Sequence, residues 1–345
     1  MEARKVVIHS PGSYDKLKIE TFSLPALSAG EILIEVEAIG INYADCVVRM
    51  GLYESAKKYV GWPITPGFEV AGTVKEVGSA VRSVEVGQKV LGVTRFGGYT
   101  SHIILTEDLV FPLPKGFSVE EAAGFPSVFL TAYYGMFELA NPREGLDVLV
   151  HSAAGGVGGA LLQLSRVAKC RAVGVVGASH KIETAKELGA VEVIDKSKED
   201  LWKAAEKYAP EGYHLIFDAN GVSTLKESYK HLGTPGKLVI YGFHSMLPKT
   251  GGRPNWFKLV WDYFRTPRFN PLDMTGANHS ILAFNLSYLF EERSLLASSM
   301  KDLLGWCKEG QIIPPPVKVY SLEDVAKAHQ DLESGQTVGK LVLAP

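Results

Sequence analysis

At 345 residues the chain is longer than one hydrophobic core usually supports, so two domains are expected. Hydrophobic residues make up 46% and charged residues 21%, as in globular proteins, and a net charge of −2 gives no reason to expect nucleic-acid binding. Three scattered cysteines, Cys46, Cys170 and Cys307, exclude a disulfide framework and favour a reducing compartment. With no apolar signal region and no long apolar run, we expect a cytoplasmic protein without a spanning segment.

The first part of the chain, to about residue 124, is predicted to be rich in β-structure. Short β-branched runs alternate there with Gly and Pro. The runs are KVVIH, EILIEVEAIGIN, FEVAGTVKEVG, QKVLGV and YTSHIIL. A connector with Pro112, Pro114 and Gly116 follows them.

Beyond the connector the pattern changes to alternating strands and helices. Six apolar runs are predicted strands: DVLVHS, AVGVVG, EVID, HLIFDAN, KLVIYGF and ILAFNLSYL. Helical patterns lie between them at 159–169, 181–189, 197–209 and 223–233. This alternation predicts an α/β fold with a doubly wound parallel sheet. The helical stretches 295–310 and 322–335 and a last strand, GKLVLAP, are expected to return to the N-terminal domain.

A glycine cluster stands between the first of these strands and its helix, in HSAAGGVGGALLQLS. Ala153-x-Gly155-x-x-Gly158 is the dinucleotide fingerprint with alanine in the first place: a tight turn, a close approach of the backbone to pyrophosphate, and close helix packing. We therefore predict a cofactor contact at 154–158, namely Ala154, Gly155, Gly156, Val157 and Gly158. The alternative is a turn that binds no ligand.

The end of the second strand indicates which dinucleotide binds. NAD-selective sites carry an Asp or Glu there for the ribose hydroxyls, and this chain has GASHK at 177–181 instead. Ser179 and Lys181, with Lys196 after the third strand, would offer donors and positive charge to a 2′-phosphate. This pattern predicts NADPH; the alternative is that both lysines are ordinary solvated side chains.

The segment of about residues 244–272 interrupts the alternation and is dense in aromatic and basic residues. It contains Trp256, Phe257, Trp261, Tyr263 and Phe264 beside Arg253, Lys258, Arg265 and Arg268. Its aromatic side chains could pack on the protein's own surface or at a subunit interface, form a wall or lid of a substrate pocket, or contact a membrane surface.

No metal site is predicted. Catalytic zinc needs three protein ligands, and Phe68 stands in TPGFEVAG where a histidine would be useful beside Cys46. The chain also lacks the four closely spaced cysteines of a structural zinc lobe and the G-x-S-x-G motif of serine hydrolases.

Several stretches resemble a known superfamily: AIGINYADCVVRMGLY, PGFEVAGTVKEVG, FLTAYYGMFE, HSAAGGVGGALLQLSR and GKLVL. They resemble the medium-chain dehydrogenase/reductases, in particular the zinc-independent, zeta-crystallin-like quinone oxidoreductases and the vesicle amine transport protein homologue subgroup. The resemblance implies a GroES-like substrate domain (1–124 and 288–345), a Rossmann NADPH-binding domain (125–287), a cleft between them and a homodimer.

The resemblance also implies roles for individual residues. Asn42 of the GIN motif would lie beside the nicotinamide ribose, Thr131 near the cofactor phosphates or nicotinamide, and Lys181 at the 2′-phosphate. Lys196 stands where the family commonly has a tyrosine. Two further groups would approach the adenosine side and the nicotinamide carboxamide, respectively: Tyr241, Gly242 and Phe243, and Phe284, Asn285 and Leu286.

The implied reaction is hydride transfer from NADPH to a quinone or an α,β-unsaturated carbonyl compound. Tyr53 is the candidate proton donor, with Tyr43 and Tyr59 as alternatives, unless solvent supplies the proton. Two other functions stay open: a 2-enoyl thioester reductase, and an NADPH-binding, membrane-associated or regulatory protein with weak turnover.

Overall fold

The computed structural model describes residues 2–345 and divides them into two compact units. The first comprises the described residues up to Leu130, Lys249–Arg253 and Leu286–Pro345; the second comprises Thr131–Pro248 and Pro254–Asn285. The domain limits drawn from the sequence, at residues 124 and 288, stay predictions beside these bounds.

The N-terminal stretch forms the predicted β-rich region. Its strands are β1 (Glu2–Val7), β2 (Lys18–Ser23), β3 (Glu31–Ile41), β4 (Glu69–Val77), β5 (Lys89–Val93), β6 (His102–Thr106) and β7 (Val110–Pro112). Its helices are short: α1 (Tyr43–Arg49), α2 (Glu54–Tyr59) and α3 (Val119–Ala123).

The middle of the chain alternates strands and helices. Helix α4 (Pro126–Tyr133) runs on as a π-helical segment, Tyr134–Ala140. The strands are β8 (Asp147–Val150), β9 (Arg171–Val176), β10 (Glu192–Asp195), β11 (Tyr213–Asp218), β12 (Leu232–Ile240) and β13 (His279–Ala283). The helices are α5 (Gly156–Val167), α6 (Ile182–Glu187), α7 (Leu201–Tyr208), α8 (Leu225–Lys230), α9 (Trp256–Arg265) and α10 (Pro271–Ala277).

The C-terminal stretch adds α11 (Arg293–Lys308), β14 (Val317–Ser321), α12 (Val325–Ser334) and β15 (Lys340–Ala344) to the first unit. There β15 pairs antiparallel with β3, which pairs antiparallel with β4, in a sheet of order β14-β15-β3-β4-β5-β7 with β6 also on β3. The last strand therefore returns to the N-terminal sheet, as predicted. Buried aliphatic side chains such as Ile34, Val70 and Leu341 form this unit's core.

The second unit is built on a six-stranded sheet in which every neighbouring pair is parallel, in the order β10-β9-β8-β11-β12-β13. This is the strand order of a dinucleotide-binding sheet, and the direction of winding reverses between β8 and β11. Val148, Leu149 and Val150 of β8 are fully buried because helices cover both faces of such a sheet. The predicted doubly wound fold is confirmed.

The sequence prediction was wrong at the sixth strand and incomplete in the aromatic segment. The run 281–289 was predicted as one strand, but β13 ends at Ala283 and Leu286–Glu291 forms a 3₁₀ helix. The aromatic segment contains two helices, α9 and α10, which were not predicted because the pattern did not place their caps. Asn255 caps α9 through a bond from the Lys258 N–H, and Asn270 caps α10 through one from the Leu272 N–H.

Candidate functional site

The glycine-rich loop lies at the carboxyl end of β8, where the sheet reverses its winding. The strand ends at Val150, and α5 begins at Gly156. A Cβ on Gly158 would stand 2.2 Å from the carbonyl oxygen of Ser152, so only glycine fits. A Cβ on Gly155 would meet only that same oxygen within 4 Å, at 3.2 Å, so the other side of this residue is open. The loop thus has the close helix packing and the accessible backbone of a pyrophosphate site.

The first turn of α5 supplies the donors that such a site requires. Gly156, Val157 and Gly158 occupy it, and their N–H groups have no partner within a helix that starts there. The positive end of the helix dipole points to the same place. Ala154, in contrast, is buried in the loop, so its contribution to a ligand is limited to its backbone.

Lys181 and Lys196 lie at the ends of neighbouring strands, in the predicted 2′-phosphate region. Lys181 closes a 3₁₀ turn after β9, and Lys196 follows β10, where its N–H bonds to Val176 O at 3.1 Å. Burial and the neighbouring positive charge of Lys196 lower the pKa of Lys181. Two ammonium groups that repel each other in this way would be stabilised by an anion between them.

Ser179 has a more constrained place than the sequence suggested. Its hydroxyl donates to Asp195 Oδ2 at 2.6 Å, and Ser197 binds the other carboxylate oxygen through its N–H and its hydroxyl. Although burial opposes ionisation, these bonds lower the pKa of Asp195. Sequence reasoning found no acid at the end of β9, but this one comes from the end of β10. Ser179 would have to leave Asp195 before it could donate to a phosphate.

Tyr241, Gly242 and Phe243 follow β12 at the same edge of the sheet. The Tyr241 N–H bonds to Asp218 O at 3.1 Å, while its buried hydroxyl has no hydrogen-bond partner among residues 2–345. The buried Nδ2 of Asn220, after β11, likewise has none within the described chain. Phe243 is exposed and packs against Gly221. Buried donors without protein partners at strand ends indicate a place for a polar ligand or ordered water.

The residues predicted to lie near the nicotinamide are divided between the two units. Phe284 follows β13, and its ring lies 4.9 Å from that of Tyr134, so it is packed within the second unit. Thr131 and Asn285 are the first and last residues of that unit, and Leu286 belongs to the first unit. Their predicted roles stay predictions.

Asn42 lies at the end of β3, and its side chain is held by two buried charged residues. Its Nδ2 donates to Glu69 Oε1 at 2.8 Å, and its Oδ1 accepts from Lys340 Nζ at 2.8 Å. The same Lys340 Nζ lies 2.8 Å from Glu69 Oε1. Glu69 and Lys340 were not predicted as site residues, although they lie in the stretches PGFEVAGTVKEVG and GKLVL that resemble the superfamily.

Tyr53 belongs to an aromatic cluster in the first unit. Its ring stands edge-on to Phe68 at 6.0 Å and to Phe96 at 6.3 Å between centroids. Phe68 is buried, whereas Tyr53 and Phe96 are half-buried and present part of their rings at the surface of the cluster. The alternative donor Tyr59 lies under the guanidinium of Arg95, 3.8 Å from ring centroid to Cζ.

Comparisons with known proteins identify the family. Residues 28–115 match a model described as alcohol dehydrogenase GroES-like domain, and residues 188–343 match one described as zinc-binding dehydrogenase. A synaptic vesicle membrane protein VAT-1 homolog of Rattus norvegicus is 33% identical over 99% of this chain and 84% of its own length. The chain belongs to the medium-chain dehydrogenase/reductase superfamily.

Solved structures place this medium-chain dehydrogenase/reductase among oxidoreductases. Escherichia coli quinone oxidoreductase complexed with NADPH matches with a TM-score of 0.84 and 27% identity, over 99% of this chain and 100% of that one. The CurK enoyl reductase matches with a TM-score of 0.85 and 25% identity over 99% of both chains. These matches confirm the predicted superfamily and the predicted fold, a GroES-like domain joined to a Rossmann domain. The VAT-1 relatives agree with the vesicle-protein subgroup that the sequence resembles.

One matched family model is described as zinc-binding dehydrogenase, and this dehydrogenase/reductase has a buried cluster of possible metal ligands that was not predicted from the sequence. Ligand-type atoms of Cys46, His329 and Glu333 lie within 4.8 Å of one another. The guanidinium of Arg49 stands among them, 2.7 Å from Glu333 Oε1 and 3.2 Å from His329 Nδ1. A side-chain cation thus already contacts two of the three groups that could hold a metal ion. No local signal links Cys46 to His329, 283 residues away in the sequence.

Within residues 2–345, the helices are too short or too polar to cross a bilayer. The cytoplasmic location inferred from the sequence stays a prediction.

Proposed function

We propose that this chain is an NADPH-dependent oxidoreductase that reduces a quinone or an α,β-unsaturated carbonyl compound. The observation that carries the proposal is the pairing of the glycine-rich first turn of α5 with Lys181 and Lys196 at the ends of adjacent strands. A helix N-terminus and two repelling ammonium groups match the pyrophosphate and the 2′-phosphate of one ligand. The E. coli neighbour, described as an NADPH complex, supports this cofactor.

The residues that would hold NADPH each have a stated chemistry. The N–H groups of Gly156, Val157 and Gly158 would bind the pyrophosphate, and Lys181 and Lys196 the 2′-phosphate. When bound, NADPH supplies a hydride from its nicotinamide ring. Asn42, with its amide fixed by Glu69 and Lys340, is the proposed contact of the nicotinamide ribose.

We infer an acceptor that is electrophilic without a bound metal ion, since Phe68 stands where a histidine ligand would be useful and Arg49 pairs with Glu333 in the Cys46 cluster. Quinones and enones meet this condition. The half-exposed rings of Tyr53 and Phe96 would offer edge and face contacts to a flat acceptor. Tyr53 is also the proposed proton donor, with water as the alternative source.

Cofactor titration followed by fluorescence tests the proposal. Wild-type protein should bind NADPH more tightly than NADH, and Lys181→Glu should weaken NADPH binding at least about 30-fold because it places a carboxylate beside the 2′-phosphate. Lys226→Glu, a charge reversal of an exposed lysine on α8 of the same unit, is the matched control and should bind as wild type does. Equal NADPH binding by the two variants would refute the phosphate assignment.

Substrate preference then separates the two oxidoreductase activities. A quinone reductase should prefer 1,2-naphthoquinone to an enoyl-CoA, and a 2-enoyl thioester reductase should show the reverse order. NADPH binding without turnover on either acceptor would favour a regulatory role.

A second candidate function is contact with a membrane surface, and one observation favours it. Helix α9 turns its apolar side chains to solvent: Phe257 is 91% exposed, Phe264 73% and Trp261 63%. Asp262 is the buried residue of this helix, and it pairs with Lys258, which also donates to Ser245 O at 2.6 Å. These aromatic side chains are therefore exposed rather than packed on the chain's own surface, and the subunit interface, the pocket wall and the membrane contact stay open.

The chemistry around α9 suits an anionic lipid surface. Trp and Phe side chains partition into the headgroup region, and the exposed Arg253, Arg265 and Arg268 add positive charge nearby. The rat relative is named a synaptic vesicle membrane protein. We propose that α9 rests in the headgroup layer with its axis along the membrane.

Vesicle co-sedimentation tests this contact. Wild-type protein should sediment with phosphatidylserine-containing vesicles at low salt, and Phe257→Ser/Trp261→Ser should not. Val86→Ser/Val191→Ser, which changes two other exposed apolar residues, is the control and should sediment as wild type does. If the α9 variant instead halves the molecular mass in solution without changing sedimentation, the helix is a contact between copies of a homodimer.

A further inference from the structure

We propose that Lys340 and Glu69 are positioning residues that fix the orientation of the Asn42 amide for cofactor binding. This inference rests on the proposed NADPH-dependent function, because it assigns the nicotinamide ribose of that cofactor as the ligand of the Asn42 amide. It adds two residues to the site, neither of which needs to touch the cofactor.

The ammonium group of Lys340 has an acceptor for each of its three N–H donors. It lies 2.8 Å from Asn42 Oδ1, 2.8 Å from Glu69 Oε1 and 2.7 Å from the carbonyl oxygen of Ile41. Its side chain is only 3% exposed. A buried lysine with this geometry is held in one position, so the atoms it binds are held too.

Glu69 completes the arrangement from the other side. Its Oε1 accepts from Asn42 Nδ2 at 2.8 Å and from Lys340, and its Oε2 accepts from the Ser127 N–H at 2.6 Å. The carboxylate is fully buried. A Cβ on Gly40, opposite it on β3, would lie 2.4 Å from Oε1, so the glycine at this position makes room for the carboxylate.

These two neighbours allow one orientation of the Asn42 amide. An ammonium group only donates and a carboxylate only accepts, so the amide oxygen must face Lys340 and the NH₂ must face Glu69. The opposite orientation would lose both hydrogen bonds and direct like partial charges at each other. The amide oxygen accepts from Lys340 and, in the capping box of α1, from the Asp45 N–H. The second N–H of the amide then points in a fixed direction, and it is the donor that we assign to a ribose hydroxyl.

The backbone brings the three residues together without reliance on a loop. Asn42 follows β3, Glu69 begins β4 and Lys340 begins β15, which are neighbouring strands of one sheet. Leu341 pairs with Ile41, and Ile39 with Val70. This register places all three residues at the same end of the three strands, on the rigid part of the unit.

Stabilisation of the fold alone does not explain the buried ion pair between Lys340 and Glu69. Buried ion pairs cost desolvation, and a neutral replacement of similar volume is often tolerated or even stabilising. The neutral double variant Lys340→Met/Glu69→Gln should therefore fold with a melting temperature near that of wild type, whereas either single change leaves a buried charge unpaired.

Cofactor affinity in a mutant cycle tests the proposal. The neutral double variant should bind NADPH about tenfold more weakly than wild type, the loss expected for one misdirected hydrogen bond. Asn42→Ala should lose the same amount, and combining it with the double variant should lose no more, since both changes remove one interaction. Lys340→Arg keeps a buried donor and should retain part of the NADPH affinity that the neutral double variant loses. Lys75→Met/Glu35→Gln repeats the substitutions on an exposed pair of β3 and β4 as the control and should bind as wild type does.

Every outcome of the cycle supports or overturns the positioning role. Additive losses, or wild-type affinity in a folded double variant, would overturn it while NADPH binding by wild type and its loss in Lys181→Glu still stood. If the double variant does not fold, an Asn42→Ala variant that binds NADPH as tightly as wild type would overturn it equally. If wild-type protein binds neither NADPH nor NADH, the proposed function fails first, and the positioning role falls with it.

Discussion

The buried carboxyl group of Asp45 should make this chain less stable as the pH rises. Burial raises the pKa of Asp45 to about 7, although the N–H groups of Asn42 and Gly67 and the hydroxyl of Tyr99 hydrogen bond to it. In the unfolded chain the group returns to a pKa near 4. The native state thus binds the proton more tightly, so this contribution to stability is fully present below about pH 4 and is lost as the pH rises through 7.

The hydrogen bonds around Asp45 fix the roles of the neighbouring groups. The guanidinium of Arg49 lies 3.2 Å from His329 Nδ1 and can only donate, so a neutral His329 carries its proton on Nε2 and donates to the Tyr99 oxygen, 3.1 Å away. Burial, together with the charge of Arg49, keeps the pKa of His329 well below the usual range, so the ring is neutral. The Tyr99 hydroxyl then donates to Asp45 Oδ2 at 3.1 Å, and this neutral donor offsets the cost of burying an ionised Asp45 only in part.

The magnitude follows from the two pKa values. A difference of about 3 pKa units corresponds to about 4 kcal/mol in total. Of this, roughly 2.5 kcal/mol is lost between pH 5 and pH 8, because the carboxyl of the unfolded chain is already ionised at pH 5 whereas that of the native chain loses its proton only near pH 7.

Urea denaturation of wild type and Asp45→Asn from pH 5 to pH 8 measures the effect. Asparagine has the shape of the neutral acid and does not titrate, so wild type should lose roughly 2.5 kcal/mol of unfolding free energy relative to the variant. Titratable groups other than Asp45 are common to both proteins, so their contributions cancel in the difference between wild type and variant. Asp108→Asn, at a partly exposed carboxylate, should run parallel to wild type. Parallel curves for wild type and Asp45→Asn would refute the reasoning.

Three further predictions concern the loop, the exposed helix and the proton donor. Gly158→Ala should lower the free energy of unfolding by about 1–3 kcal/mol and abolish NADPH binding, because the added Cβ meets the backbone. Gly155→Ala should keep a free energy of unfolding near that of wild type. Equal losses in the two variants would contradict the contact geometry. Phe257→Ser should change the melting temperature by less than about 2 °C, since the side chain is almost fully exposed. Tyr53→Phe should lower kcat/KM about 100-fold at pH 7 if the hydroxyl donates the proton; an unchanged pH profile from 6 to 9 would assign the proton to solvent.

The sequence predicted those parts of the fold and site that depend on local spacing. The loop around Gly155 and Gly158 was recognisable because its roles fall within six residues between a strand and a helix. The six parallel strands were recognisable because buried strands form continuous apolar runs.

The features that were missed depend on distant contacts. Lys340 and Glu69 are 271 residues apart, and only the pairing of β15, β3 and β4 brings them together at Asn42. Asp195 reaches Ser179 from another strand end. The pattern of α9 shows that one side is apolar, but only the contacts of Lys258 and Asp262 show that the apolar side faces outward.

The preformed helix α9 has a consequence for the strength of the proposed membrane contact. Segments that become helical only at a membrane lose conformational entropy on contact, which weakens binding. Helix α9 is instead already capped by Asn255 and attached through Lys258 and Asp262. Its exposed aromatic side chains would enter the headgroup layer without that entropic cost, so the helical content measured by far-UV circular dichroism should not increase when vesicles are added.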